Sequence, residues 1–219
     1  MLLRTMKRII CTVFLVLSVA TLWGQQAKQA RRVLDQTVEV LKSAGGMRID
    51  FTMITTKDQR LVDKSEGILH LQGECFKLET SDFKNWFDGK TQWSYLLVNE
   101  EVNIINPTEE ELESINPYRL LLSYQKGFPD VAIGNVTLYK NKPVVEVILK
   151  NKKKDKEIEL VVLYVDKISN LPLYLKVRLR DRTESEIMVK EYIMYQSYSP
   201  IFFQFDESEY PSVDVIDLR

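Results

Sequence analysis

His70 is the only histidine in the chain, and Cys75 is one of two cysteines. A Ser-His-Asp triad would have to use this imidazole. No G-x-S-x-G nucleophile turn accompanies it, and its neighbours Leu69 and Leu71 are strand positions, so His70 reads as a surface or groove-rim residue. Cys75 has no evident activating partner, and a buried, inert thiol is expected. Acidic stretches such as Glu100-Glu101 and residues 109–111 lack a spacing that singles out a glycosidase pair; they read as solvated faces or a helix start. There is no Gly-rich phosphate loop, and so few cysteines and histidines exclude a zinc ribbon. The lysines at 150, 152, 153, 154 and 156 read as an exposed hairpin tip, with docking to an acidic membrane or protein surface as the functional option. The chain is therefore expected to hold no cofactor and no metal, and not to be an enzyme.

What remains is apolar and aromatic chemistry. Phe51, Met53, Leu69, Phe76, Trp86 or Phe87, Trp93 and Tyr95 fall on strands whose alternate positions point to one face. A sheet of many strands curls, and its concave face gathers such residues. Permanently covered, that face is a core. Covered by helices that lift, it is a site for an apolar ligand.

The elements that carry these residues follow from periodicity. Residues 1–24 have a basic start (Arg4, Lys7, Arg8), an apolar stretch over 9–20, and small residues at Ala20 and Gly24. This is the pattern of a cleaved export signal, too short for a span of about 20 residues. The remaining 25–219 form one expected domain. Loss of the three basic residues leaves 27 basic against 31 acidic, a net charge of −4, which argues against nucleic acid as a partner. Residues 26–44 have helical spacing, with Leu34, Val38 and Leu41 on one side, and Gly45-Gly46 as the stop. From Met47 the period changes to two. Strands are expected from there to Asn106, with residues 57–65 as a polar connection and Asp88-Gly89 as a hairpin turn. Thr108 followed by Glu111 is a capping-box spacing. It opens a helical insertion in which Pro117 starts a second helix, Leu120, Leu121 and Tyr124 share a side, and Gly127 ends the run. Strands then resume, ending with a short one over 201–205. The fold class is α+β, mainly β: a curved antiparallel sheet of about eleven strands, barrel-like or split, with an N-terminal helix and a helical insertion.

Four stretches carry a resemblance to the LolA family of outer-membrane lipoprotein carriers. They are R-x-D-F-T-M at 48–53, E-G-x-L-x-L at 66–71 followed by Phe76, W-F-D-G-K-T-Q-W-S-Y at 86–95, and N-P-Y-R-L-L at 116–121. The Asp-Gly-Lys-Thr-x-Trp block is the most specific. The resemblance implies an unclosed half-barrel with a helical lid over an apolar concave face. It implies a periplasmic chaperone that takes acylated lipoproteins from an inner-membrane lipoprotein-releasing transporter. The chaperone then hands them to an outer-membrane acceptor, and acts as a monomer. The acyl groove would be lined by Phe51, Met53, Leu69, Phe76, Trp93 and Tyr95, and the lid would carry Ile115, Leu120, Leu121 and Tyr124. One feature departs from the family: its lid-latching arginine is replaced by Gln72-Gly73-Glu74. Arg48 and Arg119 are the alternative substitutes.

A second reading keeps the scaffold but not the carrier role: a lipid binder, or an envelope-stress sensor that binds lipoprotein or lipopolysaccharide. An exported enzyme is a third, and the missing nucleophile, metal cluster and cofactor loop weigh against it.

Overall fold

The computed structural model describes residues 25–109, 111–112, 119–121, 124, 128–151 and 157–219. Residues 25–43 form helix α1, which buries Ala30, Leu34, Thr37 and Leu41 along one side. Gly45 ends it at φ +68°, a left-handed conformation that costs glycine nothing. The strands are β1 (Gly46–Lys57), β2 (Arg60–Gln72), β3 (Cys75–Thr80), β4 (Phe83–Phe87), β5 (Gln92–Leu96), β6 (Glu101–Ile105), β7 (Asp130–Ile133), β8 (Leu138–Tyr139), β9 (Lys142–Lys150), β10 (Ile158–Asp166), β11 (Pro172–Leu179), β12 (Thr183–Gln196) and β13 (Asp214–Asp217). Residues 109, 111–112, 119–121 and 124 are helical and lie between β6 and β7.

These strands make one open sheet in the order β13-β6-β5-β4-β3-β2-β1-β12-β11-β10-β9-β7, with β8 paired to β9. The two ends do not meet, so the half-barrel is unclosed, as the family resemblance implies. Two antiparallel meanders, β1 to β6 and β9 to β12, join where β12 returns to pair with β1, for example Met53 with Ile187. Only β13 runs parallel to its neighbour, β6.

Three expectations need correction. The connection expected over 57–65 is mostly strand: Asp58 and Gln59, both at positive φ (49° and 64°), turn the chain in two residues. The residues after them start β2 at an end of the sheet open to solvent, where Leu61 and Val62 are exposed. The strand expected over 131–139 is split into β7 and β8. Gly134 lies at the break, and a Cβ there would collide with the Glu146 side chain. The expected strand over 201–205 is a 3-10 turn, Pro200–Phe203; Pro200 supplies the fixed φ of a first helical residue.

The sheet is covered on both faces. The inner face packs on α1 and the helical segment through Leu34, Leu41, Leu112, Leu120, Leu121, Tyr124 and Phe128. On the outer face the chain after β12 crosses β2 to β5. Tyr198, Phe202, Phe205 and Tyr210 cover His70, Lys77, Trp86 and Tyr95. Trp86 meets Phe205 with centroids 5.5 Å apart, and Tyr95 meets Tyr210 at 5.2 Å. Lys77 Nζ sits 5.0 Å from the Phe202 ring, a cation–π contact.

Candidate functional site

Between the inner face and the helices lies a cavity of roughly 360 Å³, in the range of about 300–1,000 Å³ typical of small-molecule sites. Its floor comes from β1 (Ile49, Phe51, Met53), β2 (Leu69) and β3 (Leu78); its roof comes from Leu41 of α1 and from Leu120 and Leu121. The far wall is β11 and β12, through Leu175, Val177, Ile187 and Val189. The period of two explains the set. Phe51 pairs with Val189 and Met53 with Ile187, so all four side chains share the inner face.

Gly67 shapes the floor. It lies opposite Phe51 in register, and a Cβ on it would run into the Phe51 ring. The ring therefore lies along the sheet rather than standing up into the cavity.

Among the described residues the lining carries no charged side chain. Its polar groups are Thr80, Asn85, Tyr174, Ser185 and Tyr192. Tyr192 donates to Pro172 O at 2.7 Å, and burial pushes its hydroxyl pKa above the ordinary value. A low-polarity wall of this kind suits hydrocarbon.

The helical segment is tied down by polar contacts at its ends. Thr108 and Glu111 form the expected capping box: Glu111 Oε2 accepts from Thr108 N at 2.7 Å, and Thr108 Oγ1 accepts from Glu111 N at 3.3 Å. The bonds the Glu111 carboxylate accepts from Thr108 N and Thr108 Oγ1 hold it below its ordinary pKa. Arg119 is buried, and its Nη2 donates to both oxygens of Glu109 at 2.9 and 3.0 Å. Its Nη1 lies 3.3 Å from Glu74 Oε2, at the β2–β3 turn. Of the two arginines considered for that region, Arg119 reaches Glu74, whereas Arg48 pairs with Asp50 at 2.8 Å. Further along, Tyr124 donates to Asp35 of α1 at 2.6 Å.

The groove residues expected from sequence divide into three groups. Phe51, Met53 and Leu69 line the cavity, as do Leu120 and Leu121. Phe76 shares the inner face but is wholly buried against Phe87, with ring centroids 5.5 Å apart, and does not border the cavity. Tyr124 is likewise buried, at the α1 contact. Trp93 and Tyr95 are on the opposite face, a correction with a plain cause. In the β4–β5 register Phe87 pairs with Gln92, Trp86 with Trp93 and Asn85 with Ser94. Phe87 and Asn85 face inward, so Gln92 and Ser94 do too, and the bulky aromatics point out. Ile115 lies outside the described residues, as do Pro117, Gly127 and the lysines at 152, 153, 154 and 156.

His70 is also on the outer face. Its Nδ1 lies 3.0 Å from Tyr198 Oη, and burial lowers its pKa. Cys75 is half-buried, and burial pushes its thiol up. Among the described residues no cluster of acids, histidines and cysteines has the makings of a metal site.

The cavity residues missed from sequence include Ile49, Leu78, Phe83 and Asn85, Leu41 of the helix, and those of β11 and β12. Alternation is visible in Leu175-Val177-Leu179 and in Ser185-Ile187-Val189. Only the pairing of β12 with β1 brings them to the cavity.

Similarity to known proteins agrees with this architecture. The family described as "Outer membrane lipoprotein carrier protein LolA" matches residues 19–181. None of the curated proteins compared with the chain matches it significantly. An uncharacterized conserved protein from Thermus thermophilus superposes with TM-score 0.58 at 10% identity, covering 86% of this chain and 99% of that one. A DUF1329 family protein from Desulfovibrio piger gives 0.50 at 10% identity, covering 84% and 99%. A LolA superfamily protein from Nitrosomonas europaea gives 0.45 at 8% identity, covering 80% and 97%. At such identities the first two of these structures show a shared fold and no more. No helix among the described residues is long and apolar enough to cross a membrane. With its open half-barrel, its helix-roofed cavity and a family match over most of its length, the chain belongs to the LolA family of outer membrane lipoprotein carrier proteins.

Proposed function

We propose that the protein binds the acyl chains of lipoproteins in the cavity beneath the helices and carries them across the periplasm, after removal of the leader at 1–24. The observation that carries this reading is an uncharged, apolar cavity whose roof is a separate helical segment. Each buried CH₂ contributes about 0.8 kcal/mol, so an acylated N-terminus needs such shielding to leave a membrane. Release needs the roof to be movable. Beyond its apolar packing, the segment is tied to the β2–β3 turn by one polar contact, Arg119 to Glu74, and Glu74 is itself exposed. An inner-membrane transporter would load the cavity and an outer-membrane acceptor would empty it, with the protein a monomer in transit. The role is binding rather than catalysis.

The test is titration of the protein with one lipoprotein in acylated and non-acylated forms, read by formation of a soluble complex. Binding of the acylated form alone supports a carrier, and Leu121→Glu should weaken it at least tenfold while the sheet stays folded. Equal binding of free lipid would favour a general lipid binder or sensor. No binding of any form would make the cavity a core.

A further inference from the structure

Of the polar side chains at the cavity wall, four are already engaged. Thr80 Oγ1 donates to Phe83 O at 3.3 Å, Ser185 Oγ lies 3.4 Å from Thr55 Oγ1, Tyr192 donates to Pro172 O at 2.7 Å, and the Tyr174 hydroxyl is hydrogen-bonded to Glu186. Asn85 differs. It is only 8% exposed and borders the cavity, and its carboxamide makes no hydrogen bond among the described residues. The cross-strand neighbour Ser94 does not meet it either; the Ser94 hydroxyl accepts from Gln92 Nε2 at 2.8 Å. Gln92 Oε1, beside it on the same inner face, is buried without a partner. The inner face of β4 and β5 thus carries a small polar island, with unmet hydrogen-bonding capacity, next to an apolar chamber.

We propose that Asn85 is the polar recognition residue of this cavity, pairing with the neutral carbonyl at the head of an acyl chain, as an ester or an amide. The inference rests on the reading of the cavity as an acyl site and adds to it the chemistry of the group at the end of the chain. A buried amide left unmet is costly, and apolar side chains are the usual lining where only hydrocarbon must be held. A carboxamide offers two donors and an acceptor. An ester carbonyl uses a donor, and an amide uses a donor and the acceptor together. A free carboxylate is disfavoured, because among the described residues no lysine, arginine or histidine borders the cavity to neutralise it. A site built around such a group also discriminates against ligands that leave it empty.

The experiment uses the full chain and three probes with the same hydrocarbon length: a dodecanoyl methyl ester, a dodecanoyl N-methylamide and dodecane. Affinities are read by displacement of a fluorescent fatty probe. The wild type should prefer ester and amide over alkane by about tenfold, the worth of a hydrogen bond to an otherwise unmet group. Asn85→Leu should erase that preference and leave alkane binding equal or tighter. A stronger response to the amide points to N-acylated ligands, and to the ester, O-acylated ones; either supports the proposal. The infrared carbonyl stretch of the bound, isotope-labelled ester gives a readout that needs no variant: it should shift down in the wild type. An unshifted stretch, or a preference unchanged by Asn85→Leu, overturns the proposal while alkane binding leaves the acyl cavity standing. Failure of all three probes to bind overturns both.

Discussion

The ring of Phe51 lies across Gly67, its partner on the adjacent strand, so closely that a Cβ on the glycine would come within 3.0 Å of Phe51 Cε1. This single missing methyl group lets an aromatic residue form a flat floor. Gly67→Ala should tilt the ring into the cavity. We expect a loss of about 1–3 kcal/mol in stability, typical of overpacking, and at least a fivefold fall in acyl-probe affinity. Chemical denaturation and probe titration on the same variant check both. Unchanged affinity would mean that the ring does not limit the cavity.

Arg119 joins the helical segment to the sheet through Glu74, 3.3 Å away. The arginine is buried while Glu74 and Glu109 are exposed, so each pair alone should couple weakly, by about 0.2–1 kcal/mol. Glu74→Gln should therefore change stability little. Arg119→Ala should cost more, since it also removes buried side-chain packing. Its effect should be local, with faster amide exchange at residues 119–121 and slower change in β1 and β2. Uniform acceleration through the sheet would show that the helical segment and sheet open as one unit.

His70 has a pH signature. Burial lowers its pKa below the ordinary 6.5, against the pull of Glu79 and with Lys77, Arg48 and Asp50 also nearby. The unfolded chain then binds the proton first. Stability contributed by the neutral ring is complete above about 6.5 and is lost as pH falls toward the lower folded value. His70→Gln should flatten this part of the profile. Melting temperatures of both proteins between pH 7.5 and 5, compared as a difference, check it. A wild-type profile parallel to the variant's would remove His70 from the account. Because Tyr198 Oη is bonded to the ring, the segment after β12 should loosen first.

Phe203 is 1% exposed beneath that segment. Phe203→Ala should destabilise by about 3–5 kcal/mol, the usual cost of emptying a buried aromatic site. Trp86 and Trp93 report on the same face, since Trp86 packs on Phe205 and Tyr210. Their fluorescence should respond to Phe205→Ala and stay nearly constant when an acyl probe fills the cavity. A large response to the probe would mean that the two faces are mechanically coupled.

Local rules made much of this protein readable without a structure. Helical spacing ended by Gly45, alternation from Met47 onward, and the Thr108–Glu111 cap each depend on neighbours a few residues away, so they are legible in one dimension. The inward set Phe51, Met53 and Leu69 follows from the same alternation. What only the tertiary structure decided is which face of each strand is inner. Alternation defines two faces without saying which is concave, and aromatic bulk misleads at Trp93 and Tyr95. Those residues face outward because register ties Ser94 to Asn85 and Gln92 to Phe87. The outer face is apolar because the segment around Phe202, Phe205 and Tyr210 returns over a hundred residues later to cover it. Likewise, the far cavity wall exists because β12 closes against β1, and Arg119 meets Glu74 across a long stretch of chain. Such contacts depend on how distant parts of the chain pack, which spacing along the sequence does not encode.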